Sequence, residues 1–480
     1  MKKICLTLNR YFTQNDLKIV LICVFIRVFL FSLYDYKVSE CPDSWAFNHF
    51  SEKLSEYGKI YFHKQFDDKK KNVKEEKTES KTIDVFSDGN SAKKGSFVGE
   101  RSPGYPLFIF ISTSKFITVL LQFVLGIITA LLWYRTLLKL KFSDKFSFLV
   151  VILLQCFVLV FIYETFILVE ALVLFFMSII AYYISCDYLT TENSIKFEIY
   201  FSAILGYLVL IKPFYVVIPC ILFALKFINK PALKTFFNRK LIILILPLVL
   251  FFGWSLVVQK FTGYYTSTTY FGLNKAQNCV YFAEKGPKEY QWIIEPYVKH
   301  REIAIKENED VSMAIWMALN AGEFKYKKMD FPELSNEFGK YADATIKANF
   351  TDYLNQIITK SWFDFWITFD MKQIAKFENP TTEFWIAKIA IIQNFILTFL
   401  KFLFLPISLF YIYLFLFKRV INFQTIFSIL IWSISILQAI ITYGTNGKYC
   451  YPFEFLIVFI VLLFSRDYLF ANRFFNKVKK

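Results

Sequence analysis

The sequence predicts an all-α protein that crosses a membrane many times. Hydrophobic residues occupy 56% of the 480 positions, aromatic residues occupy 20%, and Phe alone occurs 59 times. The mean hydropathy is +0.42. An ordinary soluble domain is less apolar than this, and long apolar runs are typical of transmembrane helices. The composition therefore favours a polytopic membrane protein.

Ten apolar runs are long enough to be interpreted as membrane-spanning helices. In chain order they cover residues 17–34, 116–134, 146–162, 166–184, 197–211, 213–228, 241–259, 389–417, 423–442 and 451–469. Lys and Arg collect in the connections after the second, sixth and eighth runs and near both termini. Because basic residues mark the cytoplasmic side, this pattern predicts both termini in the cytoplasm. It also explains the net charge of +16 without a nucleic-acid partner.

The run 197–228 allows two interpretations. One kinked helix would move every later connection across the membrane and place the basic segment 229–240 outside. A hairpin that turns at Lys212 and Pro213 keeps that segment inside. The charge pattern therefore favours the hairpin.

Long connections remain on the outer side and divide the chain into three parts. Residues 1–259 form a transmembrane module with the outer loop 35–115. Residues 260–388 are predicted to form a small external helical cap, and 389–480 hold the last spans and a basic tail. Within the first loop, 64–96 is rich in Lys, Glu, Asp and Ser, which predicts a solvated, flexible insert.

The cysteines and histidines show no metal-binding spacing. Cys41, Cys279 and Cys450 map to the outer side, where one disulfide is allowed but its pairing cannot be deduced. With three His in the whole chain, a His-based metal site is not predicted.

Polar residues in the first outer loop are candidates for chemistry. Asp43 follows the first run closely, and a carboxylate just above a bilayer can take a proton from a hydroxyl group. A solvated loop acid or a helix N-cap is the alternative for Asp43. Arg101 follows Glu100 and opens the segment 101–107, Arg-Ser-Pro-Gly-Tyr-Pro-Leu, whose prolines and glycine predict a rigid turn. A carboxylate and a guanidinium at this place suit the handling of a lipid phosphate.

Acidic residues also occur in or beside apolar runs, where ionised groups are costly and are usually paired. Glu164 and Glu170 lie six residues apart, which on one helix places them on different faces and predicts different partners. Arg27, in the first run, is the candidate partner for one of them. A structural pair and a catalytic pair both fit.

Basic residues at the outer ends of two other runs could bind an anion. Lys212 lies at the hairpin turn, and Lys448 precedes the last run. Two cations from separate helices can clamp a phosphate, but each could equally extend to the membrane surface. The aromatic and hydroxyl-rich stretch 261–274 could stack on sugars or form an exposed β-ribbon.

Taken in order, these features resemble the C-type membrane glycosyltransferases, the GT-C fold, and most closely the branch with protein O-mannosyltransferases and lipid A aminoarabinose transferases. The matching residues are Arg27, Asp43 with Trp45, the segment 101–107, Glu170, Lys212 with Pro213, the stretch 262–274, and Lys448 and Tyr449 with Pro452. The resemblance implies a bundle of about ten transmembrane helices with outer amphipathic helices and a small cap.

The resemblance also implies roles for these residues. Asp43 would be the catalytic base of an inverting transfer, and Arg101, Lys212 and Lys448 would bind the donor phosphate. Supporting roles are implied for Arg27, Glu100, Tyr105, Glu170 and Tyr449. Ser44 stands where the family often has a second acid, which puts a divalent metal in doubt, so no cofactor is assigned.

The implied partners are a polyprenyl-phosphate sugar donor, membrane lipid, and a glycan, lipid or protein acceptor. The implied location is a bacterial inner membrane with the site on the external face. The sugar cannot be identified, because enzymes that transfer mannose, arabinose-type sugars or galacturonate share this arrangement. A flippase or transporter of lipid-linked saccharides is the main alternative, although it favours pseudo-symmetric halves. A structural scaffold would leave the outer charges unexplained.

Overall fold

The computed structural model describes residues 13–66, 98–189, 193–229, 241–368, 377–444 and 446–469. These residues form helices and no strands, apart from isolated bridges between Ser39 and Phe166 and between Val98 and Arg101. The all-α prediction is therefore confirmed for the described part of the chain. The insert predicted at 64–96 lies outside it except for residues 64–66, as do the basic segments 230–240 and 470–480.

The first part of the chain forms the helices that surround the polar residues singled out above. They are α1 (Gln14–Leu33), α2 (Pro42–Phe66), α3 (Gly104–Ser112), α4 (Lys115–Lys139), α5 (Asp144–Gln155), α6 (Val158–Thr165), α7 (Glu170–Ser185), α8 (Ile195–Ile211), α9 (Val217–Asn229) and α10 (Ile242–Thr262). A 3₁₀ turn, Pro213–Val216, joins α8 to α9.

The cap and the C-terminal part follow. The cap helices are α11 (Phe271–Gln277), α12 (Gln291–Glu307), α13 (Ala314–Asn320), α14 (Phe331–Ala348), α15 (Phe350–Gln356) and α16 (Trp362–Trp366). The chain then continues through α17 (Pro380–Lys418), α18 (Phe423–Ile441), α19 (Gly447–Cys450) and α20 (Glu454–Phe464). Because α10 ends at Thr262 and α11 begins at Phe271 without a strand between them, the β-ribbon alternative for 261–274 is wrong.

Within the described residues, five helical segments are long and apolar enough to cross a membrane: α4, α10, α17, α18 and Gly447–Leu469. The pair α5 and α6, bent by 56°, would make a sixth. Other predicted spans are shorter or more charged: α7 has 16 residues, and α1 carries Asp16, Lys18 and Arg27. The structure thus shows a helical protein with several candidate membrane spans.

The predicted fourth span, 166–184, needs a correction at its start. Glu164 is the second-last residue of α6, which ends at Thr165, and Glu170 is the first residue of α7. The two glutamates therefore lie on different helices. Between them the backbone is extended at Phe166 and then bends, and Ser39 donates its N–H to the carbonyl of Thr165 and accepts from the N–H of Ile167. These bonds tie the chain after α1 to the break between the helices.

The directions of neighbouring helices test the hairpin at Lys212. The hydroxyl of Ser202 donates to the carbonyl of Ile242 at 2.7 Å, and Gly206 lies against Leu246 and Leu250. α8 and α10 therefore run side by side in the same direction. The chain must return between them, as the hairpin interpretation requires.

A buried ion pair joins α1 to α6 and is bonded to the last residue of α5. The Nε and Nη2 atoms of Arg27 donate to the carboxylate of Glu164 at 2.8 and 2.6 Å, and Nη2 also donates to Gln155. Gly126 of α4 makes room for the pair, since a Cβ there would lie 1.8 Å from Glu164 Oε1. The expected pairing of Arg27 with one glutamate is correct, and both side chains are buried among the helices.

The cap has its own apolar core and rests on one end of the bundle. Asn278 and Tyr353 both donate to the carbonyl of Ile440, near the end of α18. We call this end of the bundle the cap end. The disulfide considered for Cys41, Cys279 and Cys450 is not formed, since all three are free thiols in separate surroundings.

Gly104, the first residue of α3, allows α3 to touch the end of α8. A Cβ at Gly104 would lie 2.6 Å from the backbone nitrogen of Ile211, and the Gly104 carbonyl accepts a hydrogen bond from Tyr207 at 2.8 Å. Because Lys212 follows Ile211 directly, this contact sets the position of Lys212 relative to the loop that carries Arg101.

We predict that Gly104→Ala lowers the free energy of unfolding by about 1–3 kcal/mol, because the added methyl group collides with backbone atoms. Thermal unfolding of the purified protein in detergent measures the effect. Gly253→Ala in α10 is the matched control, since no atom lies within 4 Å of its Cβ position. Equal loss of stability in the two variants would contradict the close contact.

Candidate functional site

Polar side chains from five separate segments meet at the cap end. Asp43, in the first turn of α2, accepts a hydrogen bond from Arg101 Nη2 at 2.6 Å on Oδ1 and from Lys448 Nζ at 2.8 Å on Oδ2. Lys212 donates to Glu170 Oε1 at 3.0 Å. The predicted base and the predicted phosphate ligands are therefore brought together, but each cation contacts a carboxylate or an aromatic ring of the protein itself.

The start of α2 is held firmly, which fixes the position of Asp43. The hydroxyl of Ser44 accepts from the N–H of Cys41 at 2.9 Å and donates to the carbonyl of Ile167 at 2.9 Å. Ser44 is fully buried. Ser44 thus anchors the helix to the break between α6 and α7.

Two aromatic rings hold the guanidinium of Arg101. Its Cζ atom lies 5.1 Å from the ring centre of Phe47 and 4.8 Å from that of Tyr270. Phe47 shares a helix face with Asp43, because the two are four residues apart. Tyr270 comes from the cap and stacks on Trp316 of α13. Arg101 therefore couples the cap to the helix that carries Asp43.

The two lysines lie close together in the site. Lys212 Nζ lies 4.5 Å from the ring centre of Tyr449, the residue that follows Lys448. Both lysines interact with the charge of Glu170, Lys212 by direct contact and Lys448 over a longer distance. Three cations thus face two carboxylates, which leaves one positive charge in excess. Such an excess favours a bound anion.

The charge pattern determines the protonation of Asp43. Lys448 and then Arg101 hold the pKa of its carboxyl group well below the usual range, against the opposing effect of burial. The Asp43 side chain is 36% exposed, so solvent reaches the space beside it, which we call the cleft. While both cations remain on it, Asp43 is ionised but is a weak base.

Other predicted residues have different surroundings. Glu100 contacts His49 at 3.3 Å, and Trp45 stacks on the same imidazole with ring centres 5.0 Å apart. Tyr105 is buried and donates to Gln122 at 2.8 Å. Arg27 contacts Glu164 and Gln155 rather than Asp43 or the site lysines, and its supporting role stays a prediction.

Sequence reasoning missed several aromatic residues of the site. Phe47 could have been found from its four-residue spacing to Asp43. Tyr215 and Tyr451 each follow a site lysine by three residues, which is a helical spacing that places them near it. Tyr270 lies in the hydroxyl-rich stretch noted above, but nothing local showed that it would contact Arg101.

Metal binding finds no support among the described residues. No group of three or more His, Cys, Asp and Glu side chains there is arranged to hold a metal ion. At the predicted site the Asp43 oxygens are both taken by cations, and Ser44 is occupied by backbone contacts. We therefore assign no metal to it.

Comparison with known proteins finds no match. No family model matches the chain, and no curated protein or solved structure is significantly similar to it. The geometry of the site itself is therefore the basis for a functional proposal.

The contact between His49 and Glu100 predicts that part of the free energy of unfolding depends on pH. A hydrogen bond from the His49 imidazolium to the Glu100 carboxylate raises the pKa of His49, with burial opposing it. Because the folded pKa is raised, the contribution is fully present below the unfolded value of about 6.5 and is lost as pH rises through the folded value.

Thermal unfolding midpoints should therefore fall more for the wild type than for His49→Gln between about pH 6 and pH 8.5. Glu100→Gln should also reduce this pH-dependent fall of the unfolding midpoint, because it removes the charge that favours the imidazolium. Parallel pH profiles for all three proteins would show that the contact adds nothing to stability.

Proposed function

We propose that the protein is a membrane glycosyltransferase of the GT-C type that transfers a sugar from a polyprenyl-phosphate donor to an acceptor hydroxyl. The observation that supports this most strongly is the contact of Asp43 with both Arg101 and Lys448, beside the pair of Lys212 and Glu170. A carboxylate and three cations in one half-open cleft match the needs of a base and a leaving phosphate. Their place at one end of an apolar bundle suits a donor held by its lipid.

Donor binding would activate the base. A phosphate forms strong charge-assisted hydrogen bonds with guanidinium and ammonium groups, so it competes with the carboxylates for Arg101, Lys448 and Lys212. As the cations move to the phosphate, the pKa of Asp43 rises toward its ordinary value. Asp43 then becomes a stronger base when a donor is present.

The transfer step follows from these positions. Asp43 takes the proton of the acceptor hydroxyl while the hydroxyl oxygen bonds to C1 of the sugar. The bond from C1 to the phosphate oxygen breaks, and its electron pair stays on the polyprenyl phosphate, with inversion at C1. The added negative charge is stabilised by Arg101, Lys212 and Lys448. Asp43 releases its proton to water through the cleft.

We further propose about ten membrane segments, with the cap and the site on the external face of a bacterial inner membrane. Helix directions support this: α8 runs parallel to α10, and α4 runs parallel to α7, since Gln122 contacts Glu164 and Phe166 and Trp133 contacts Ser178. An alternating path through the membrane produces these directions. The basic connection after α4 lies at the end away from the cap, as a cytoplasmic loop would.

Reporter fusions test this orientation. Fusions within 280–300 should report an external location, and fusions within 229–240 should report the cytoplasm, because the cap and the basic connection are on opposite sides. A fusion after residue 140 serves as a second cytoplasmic control. Cytoplasmic signals from 280–300 would place the site on the wrong face for the proposed chemistry.

Asp43→Asn should lower the rate of transfer by about 10² to 10⁴, because the amide keeps the shape but cannot act as a base. Release of polyprenyl phosphate from extracted lipid-linked sugars measures the rate, and donor binding should survive. Lys448→Met should instead weaken donor use by roughly 10- to 1,000-fold, because it removes a donor to the developing oxyanion.

Asp352→Asn is the matched control, because Asp352 forms an exposed pair with Lys285 at 2.8 Å on the cap. This variant should keep full activity. Near-normal turnover by Asp43→Asn would assign the base to another residue, and Glu100 would be tested next.

A transporter of lipid-linked saccharides remains the second candidate, and one observation favours it. Lys401 of α17 and Glu454 of α20 form an ion pair at 2.6 Å with side chains that are 1% and 8% exposed. Ionised residues inside a membrane bundle often mark a transport path. In the same assay a transporter would move the donor across vesicles without releasing polyprenyl phosphate.

A further inference from the structure

A second group of polar atoms lies directly below the site. The hydroxyls of Tyr163, Tyr215 and Tyr451 and the Oε2 atom of Glu170 have no hydrogen-bond partner within the described part of the chain. All four residues are at least 96% buried. By contrast, the hydroxyl of the neighbouring Tyr105 donates to Gln122.

These atoms belong to one cluster. The rings of Tyr163 and Tyr451 have centres 4.1 Å apart. The charge of Glu170 acts on the hydroxyls of Tyr163, Tyr215 and Tyr451, which come from three different segments. We call these four residues the tyrosine cluster. The cluster lies at the first turn of α7, because Glu170 is the first residue of that helix.

Packing alone does not account for the tyrosine cluster. A buried polar group without a partner costs about 1–3 kcal/mol, and Phe would fill nearly the same space without that cost. Three such hydroxyls together with an unpartnered carboxylate oxygen therefore point to a ligand that forms hydrogen bonds. Ordered water could satisfy some of them, since a buried water forms about three hydrogen bonds.

The chemistry of the cluster selects the ligand. A tyrosine hydroxyl both donates and accepts, and a carboxylate only accepts. Together they match groups that donate as well as accept, such as the hydroxyls of a sugar. The negative charge of Glu170 disfavours a sugar that carries its own carboxylate.

Lys212 separates the tyrosine cluster from the cleft. The Lys212 side chain is 19% exposed, whereas that of Glu170 is 1% exposed. The Lys212 ammonium pairs with Glu170 Oε1. A donor phosphate that draws Lys212 away would uncover Glu170 in the same step that frees Asp43. The sugar of that donor would then lie next to the cluster.

We propose that the tyrosine cluster is the subsite for the hydroxyl groups of the donor sugar, that Lys212 covers it in the substrate-free protein, and that it accepts neutral or amino sugars but not uronic acids. The inference rests on the proposed function, because it requires a sugar linked to the bound phosphate. It adds a substrate class that the site cations alone do not define.

Binding to the purified full-length protein tests the proposal with four probes: polyprenyl phosphate itself, and its esters with a neutral hexose, an amino sugar and a uronic acid. The wild type should bind the neutral and amino esters more tightly than the uronic acid ester. Tyr215→Phe and Tyr451→Phe should each weaken the two favoured esters by roughly 2- to 10-fold, the effect of one lost hydrogen bond. Polyprenyl phosphate should bind these variants as it binds the wild type.

Tyr411→Phe is the matched control, because the Tyr411 hydroxyl is also buried without a partner but lies in α17, outside the cluster. It should change none of the four affinities. Glu170→Gln should reduce the discrimination against the uronic acid ester, because it removes the repelling charge.

Each outcome separates the subsite from the transferase itself. Unchanged sugar preference in the Tyr→Phe and Glu170→Gln variants, with polyprenyl phosphate still bound, would overturn the subsite and leave the transferase proposal intact. Equal weakening of all four probes would assign the tyrosines to phosphate binding or folding and overturn the subsite as well. Failure of the wild type to bind polyprenyl phosphate would overturn both proposals.

Discussion

The sharing of one carboxylate between two cations is the interaction on which the site depends. Asp43 contacts Arg101 on one oxygen and Lys448 on the other, although Asp43 and Lys448 are 405 positions apart in the chain. Without this carboxylate, two cations would face each other in a partly desolvated cleft. The contact therefore joins α2, the loop before α3 and the last membrane segment at one point.

Under the proposed function, the same contact would keep Asp43 a weak base until a donor binds. Each carboxylate that the proposed reaction needs is neutralised by a cation that the phosphate needs, Asp43 by Lys448 and Arg101, and Glu170 by Lys212. A donor phosphate would exchange these partners and free both carboxylates together. In such an exchange each cation keeps an anionic partner, first a carboxylate and then the phosphate. It also links base strength to donor binding.

The surrounding helices provide a rigid frame for this exchange. The buried pair of Arg27 and Glu164 holds α1 to α6 at a level below the site, and Gly104 brings α3 against the end of α8. On the cap side, the Tyr270 ring contacts Arg101 and stacks on Trp316. Arg101 thus contacts both the cap and the bundle, so movement of the cap would alter the position of Arg101.

The sequence by itself determined the class of the protein and the residues that carry charge at the ends of apolar runs. Apolar periodicity predicts helices, and an ionised group in or beside an apolar run is conspicuous because its burial is costly. The assignment of Asp43, Arg101, Lys212 and Lys448 to one site came from the resemblance to a family, together with their predicted place on the outer side. Only the tertiary structure decided which charge meets which. The break between α6 and α7 separates Glu164 from Glu170 and gives each a different partner, because backbone groups there bond to Ser39 instead of continuing the helix. Local sequence does not encode the distances between segments that are far apart in the chain. These distances decide which ions pair, why the pKa of Asp43 is lowered, and which tyrosine hydroxyls have no partner.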